Sequence, residues 1–157
     1  MKKIYFFIIL LMVSCRLVGQ DKNQLNEYII SSIESYIEWY NDLVKRGISS
    51  VDTSNYYVCM DGFPANFPYS RLQNVTFFTV KFFQMRSNPL KKQLKKGMVA
   101  LFMSFEIKNN QLQIIVSDRT VKLIDKNTIS LAIRDCKIYA YEYSCRNEKW
   151  ELKDTSI

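Results

Sequence analysis

The sequence predicts an α+β domain: one long N-terminal helix packed on a curved, mostly antiparallel sheet of five to seven strands. Three observations predict it. Between Asn23 and Arg46 apolar residues recur every three or four positions, the period of a helix with one buried face. From Leu101 to the C-terminus apolar and polar residues alternate instead, the period of strands that bury one face. No repeat, low-complexity tract or Pro/Gly-rich linker interrupts the chain, so residues 20–157 read as a single globular domain.

The first segment reads as an export signal. Lys2 and Lys3 form a positive start, Ile4 to Val13 is apolar, and Ser14-Cys15 ends the run. So short a run does not span ~30 Å of hydrocarbon as a helix. Two processing sites compete. Leu11-Met12-Val13-Ser14-Cys15 resembles a lipobox, which makes Cys15 a lipidation site and ends the signal at residue 14. Alternatively, cleavage after Gly19 leaves Gln20 first, so that residues 1–19 are an ordinary signal peptide. Intact mass of the protein recovered from cells separates the two. Either way the expected location is the periplasm or cell envelope, as an outer-membrane lipoprotein if Cys15 is acylated, or outside the cell.

The helix stripe is Leu25, Ile29, Ile33, Tyr36, Ile37, Tyr40 and Val44, with Gly47 placed to end it. Glu34, Glu38 and Asp42 mark a solvated face. Tyr56–Met60 is a short strand closed by Asp61-Gly62. Phe63–Pro68 is an aromatic loop held extended by two prolines. Val75–Phe83, β-branched and aromatic throughout, reads as a second strand. Ser87-Asn88-Pro89 is a helix start, and Pro89–Lys96 a two-turn basic helix pinned by Leu90 and Leu94. Leu101, Met103, Phe105 and Ile107 face inward on the next strand. Asn109-Asn110 forms a tight turn, and Leu112, Ile114 and Val116 face inward on the return. Val121 and Leu123 extend that strand past Asp118 or begin another. Ile129, Leu131 and Ile133 alternate next, followed by Ile138–Cys145 with Tyr139, Tyr141 and Tyr143 on one face, and a last strand bears Trp150 and Leu152. This order of elements loosely resembles the cystatin-like and NTF2-like folds, in which a sheet wraps a long N-terminal helix.

Composition narrows the chemistry. The 157 residues contain no histidine, which removes His general bases, Ser-His and Cys-His nucleophile pairs, and His-ligated metals. No glycine-rich phosphate loop is present, and the spacing of Asp61, Asp118, Asp135 and Glu142 pairs none of them as acid and base. A non-enzymatic protein without a cofactor or metal is the expectation. Cys59, Cys136 and Cys145 persist in either mature form. Cys136 and Cys145 on one strand lie too far apart to bridge, so any disulfide involves Cys59; otherwise all three are unbridged.

Charge is unevenly placed. The net +7 falls to +5 on removal of Lys2 and Lys3, and to +4 if Arg16 is also lost. From Gly62 to Phe105 there is no acidic residue, while Arg71, Lys81, Arg86, Lys91, Lys92, Lys95 and Lys96 lie within that stretch. The first candidate site is therefore Lys91, Lys92, Lys95 and Lys96 with Arg86, facing an anionic macromolecule: an acidic protein, a lipid headgroup or a glycan. Nucleic acid is not expected. The competing reading is a solvated surface helix. A second candidate is the loop bearing Phe63, Phe67 and Tyr69, either a recognition loop or a plug for the core. A third is a pocket lined by Tyr139, Tyr141, Tyr143 and Trp150, against plain sheet packing. Two functions follow: a binding protein of the inhibitor or immunity type, or a small-ligand or sugar-binding pocket protein, in its catalytic version a minimal NTF2-like enzyme.

Overall fold

Helix α1 spans Lys2–Lys45, so it begins well before the expected Asn23. No proline interrupts Lys2–Asn23, and a nucleated helix gains one hydrogen bond per added residue, so nothing stops it from running through. Gly47 ends it with φ of +72°, where a side chain would be strained. Ile48 N–H reaches Leu43 O at 2.9 Å and Gly47 N–H reaches Val44 O at 2.9 Å, a Schellman closure of the last turn. This computed structural model describes the backbone of residues 2–49, 55–83, 89–125 and 128–156, and side chains within 24–49, 55–81, 89–125 and 128–156.

The strands are β1 (Tyr56–Cys59), β2 (Val75–Phe78), β3 (Met98–Lys108), β4 (Gln111–Leu123), β5 (Ile129–Ser144) and β6 (Lys149–Ser156). Among the described residues they form one six-stranded mixed sheet in the order β2-β1-β3-β4-β5-β6. The meander β3 to β6 is antiparallel, as the alternation predicted, whereas β1 runs parallel to both β2 and β3. Parallel neighbours need crossovers of about a dozen residues. The segment between β1 and β2 crosses one face of the sheet with its aromatic loop. The segment between β2 and β3 crosses the other face with the short helices α2 (Val80–Phe83) and α3 (Lys91–Lys96).

The expected strand Val75–Phe83 is thus overturned in its second half. Val80 N–H donates to Asp61 Oδ2 at 2.9 Å, so a carboxylate from the β1 turn caps a single helical turn where the strand would have continued. The basic helix also starts later than expected. Its first residue is Lys91, and Leu90 stands at the cap position without a side-chain cap bond; Ser87 and Asn88 lie outside the described residues.

Two cores flank the sheet. On one face Ile29, Ile33, Tyr36 and Tyr40 of α1 pack on Val58, Leu101, Ile114, Val116, Tyr139 and Tyr141, with Phe67 and Leu72 closing the side. Full burial of each such side chain contributes about 1.5–3 kcal/mol. Glu34 and Glu38 stay exposed and Asp42 half-exposed, as a solvated acidic face requires. On the other face Leu94 of α3 packs with Cys59, Phe78, Met98, Ala100, Phe102 and Val121. The first half of β3 is therefore buried on both faces. Phe102, expected outward, lies in the second core, and Ile107, expected inward, is exposed at the hairpin end. Asn109 and Asn110 both take positive φ, the geometry of a two-residue turn that matches strand twist. Val121 and Leu123 belong to β4, and the segments before and after Arg134 form one strand, β5, with a register shift opposite Asp118/Arg119. Among the described residues no helix is long and apolar enough to cross a membrane.

Candidate functional site

A six-residue helix has no stability of its own, because nucleation alone outweighs its few hydrogen bonds. Helix α3 is held by Leu94, which is 0% exposed, and by Leu90, which packs partly against the same cluster. Leu94 N–H reaches Leu90 O at 2.9 Å, Gly97 N–H reaches Leu94 O at 3.2 Å, and Gly97 takes φ of +93° with Thr120 beneath it. Tyr57 Oη donates to Gln93 Oε1 at 3.4 Å. With the apolar side so fixed, Lys91, Lys92, Lys95 and Lys96 are all exposed.

The charge arrangement works against the helix that carries it. Lys91 and Lys95 are one turn apart, as are Lys92 and Lys96, and each like-charge pair destabilises a helix by roughly 0.2–0.5 kcal/mol. The first turn holds two lysines and no acid, the wrong sign for the positive end of the helix. None of the four lysines takes part in an ion pair found among the described residues. Arg71, by contrast, is matched: it makes a two-pronged contact with Glu27 of α1, which holds the Glu27 carboxyl below its usual range. Arg86 lies outside the described residues, as does the side chain of Cys15.

The aromatic loop is turned largely inward. Phe67 is buried, and Phe63 stacks edge-on against Phe67, Phe77 and Phe105. Tyr69, beside Phe67 and Phe77, reaches the surface. In the tyrosine ladder Tyr139 and Tyr141 are buried against α1: the Tyr28 and Tyr141 rings lie 4.6 Å apart, and Ser32 Oγ is 3.1 Å from Tyr141 Oη. Tyr143 and Trp150 meet edge-on at 5.6 Å on the exposed end. The three cysteines are free. Cys59 is buried, which pushes its thiol up to about 11, and the Asp61 carboxylate 3.6 Å away adds to the rise.

Sequence spacing gave no hint of what surrounds Asp118. Asp118 is 1% exposed and faces α1, opposite Asp135 across the ladder. Its Oδ1 accepts Asp135 N–H at 2.7 Å, and its Oδ2 lies 3.8 Å from Arg134 with no hydrogen bond. Asp118 also lines a cleft with Tyr40, Asn55, Tyr56 and Leu101, whose interior admits little more than a water molecule. Burial holds the Asp118 carboxyl above its ordinary 3.8, while Arg134 and the Asp135 N–H draw it partly back. A carboxyl raised in the fold binds its proton more tightly there than in the unfolded chain. The stability it contributes is complete below pH 3.8 and is lost as pH rises through the raised value. Asp118→Asn keeps the acceptor for Asp135 and removes the charge. Its thermal midpoint should match or exceed that of the native protein at pH 8, with the difference closing toward pH 4. A native protein that gains on the variant as pH rises would contradict this.

Set beside known proteins, the chain has no matching family model, no matching curated protein and no matching solved structure, and none of these comparisons confirms the resemblance of its element order to the cystatin-like and NTF2-like folds.

Proposed function

We propose that this chain is an exported cell-envelope protein that binds an anionic macromolecule through α3, without catalysis, in the manner of an inhibitor or immunity protein. The observation that carries the reading is the pair of like-charge lysine steps held rigidly outward on Leu94 with no carboxylate to neutralise them. A helix that unfavourable in isolation gains when an anion neutralises it, and local conflict of this kind concentrates at functional sites. Export is supported by Lys2-Lys3 followed by the apolar run Ile4–Val13. The lack of histidine supports the absence of catalysis.

Affinity capture from envelope extract tests it, with the native chain beside a variant carrying Lys91→Gln, Lys92→Gln, Lys95→Gln and Lys96→Gln. The native chain should retain a partner that elutes as salt rises, since exposed charge contacts are screened beyond ~10 Å at 0.1 M. The variant should lose it by tenfold or more, on the basis of ~1 kcal/mol per lysine at an anionic surface. Equal capture by both would sink the reading.

A further inference from the structure

We propose that the sheet face bearing α3 docks on an anionic lipid bilayer, its lysines meeting the headgroups while Leu131 and Ile133 enter the interfacial layer. The inference rests on the reading of α3 given above and adds the class of partner.

The strand register places these residues together. Leu131 of β5 lies directly opposite Val121, which packs in the same cluster as Leu94. Ile133 lies opposite Arg119, whose guanidinium sits 4.8 Å over the Phe102 ring of that cluster. Paired residues in an antiparallel ladder share a face, so Leu131 and Ile133 continue the α3 face by one strand, about 4.8 Å further on. Ile129 packs partly into the cluster, but Leu131 is 43% and Ile133 66% exposed.

Cations border this apolar strip on the α3 side. The four exposed lysines of α3 flank it on one side, whereas Lys122, between Val121 and Leu123, and Arg134, beside Asp118, turn to the other face. Asp125, in the β4–β5 hairpin, accepts Thr128 N–H at 2.9 Å and so caps the turn. The acidic residues of this face, Glu142, Glu151, Asp154 and Glu106, lie toward the other end of the strands, level with or beyond the Gln113–Ala140 pair and away from α3. An acidic protein face would match the lysines alone. A lipid surface takes both components, with cations at the phosphate level and isolated aliphatic side chains just beneath it.

Vesicle flotation decides it, with the full chain in every arm so that the apolar segment Ile4–Val13 is common to all. Phosphatidylcholine vesicles are compared with vesicles containing phosphatidylglycerol, and heparin retention is read in parallel. The native chain should float with the anionic vesicles well beyond its level with neutral ones. The four-fold Lys→Gln variant and a Leu131→Ser/Ile133→Ser variant should each lose roughly tenfold or more of that excess. Should the double serine variant fail to fold, Ile133→Ser alone, at the more exposed position, gives the same reading. Unchanged flotation of the serine variants, or equal flotation on neutral and anionic vesicles, overturns the lipid inference. Heparin retention that depends on the lysines, without vesicle binding, overturns it while leaving α3 as a polyanion site. Lysine-independent behaviour in both assays removes both readings.

Discussion

Leu94→Ala should lower the unfolding free energy by about 2–5 kcal/mol, the range for truncating a fully buried aliphatic side chain. The expected effect lies at the upper end. The residue is the central contact of α3 with the second core, and six residues cannot stay helical once it is gone. Urea unfolding measures it, and the same variant should lose polyanion affinity because its lysines are no longer held in one array. Lys91→Ala provides the contrast. It removes a like-charge step on an exposed site and should leave stability unchanged or slightly raised. A Leu94→Ala protein as stable as the native one would mean that α3 is not anchored in this way, and the account of the site would fail with it.

Tyr36→Ala is the second large effect, about 3–5 kcal/mol if it follows other large aromatic truncations. Tyr36 is wholly buried at the centre of the α1 face, with ring neighbours Trp39 at 5.2 Å and Tyr40 at 6.4 Å. Its hydroxyl has no hydrogen-bond partner, and burial drives its ionisation far above the ordinary range, with the nearby Asp118 and Asp135 charges adding to the effect. The two substitutions at this position should therefore diverge. Tyr36→Phe removes an unsatisfied polar atom and should be neutral or stabilising, while Tyr36→Ala opens a cavity between helix and sheet. Calorimetry of the pair measures both, and a Phe variant as damaged as the Ala variant would show that the hydroxyl, not the ring, holds the site.

The helix on the sheet was legible because both faces announce themselves by period. Ile29, Ile33, Tyr36 and Tyr40 recur at helical spacing, Ile114 and Val116 alternate, and those side chains meet in the structure. The turn at Asn109-Asn110 was legible because asparagine tolerates positive φ. The parallel edge was not. Val75–Phe83 carries β-branched or aromatic residues at every position but Lys81, so periodicity could not show that the strand stops at Phe78. The cause is non-local, a carboxylate on Asp61 that caps the next turn. Phe102 was misplaced for a related reason. Alternation assumes one wet face, and here a second crossover covers that face with Leu94. The lysines of α3 were visible as a cluster, and their exposure follows once Leu94 is the buried side. The buried Asp118, opposite Asp135, needed the β4–β5 register, which no spacing within either strand encodes.

The central claim is that α3, rather than net positive charge, makes this chain an anion binder. Its most direct test is retention on immobilised heparin across a salt gradient, comparing Lys91, Lys92, Lys95 and Lys96 all changed to Gln with a charge-matched control. The control changes the exposed Lys45, Lys108, Lys122 and Lys149 to Gln, removing the same four charges elsewhere. The α3 variant should elute at much lower salt than the native chain, and the control should elute near it. Equal shifts in the two variants would contradict the account and leave only a diffuse basic surface.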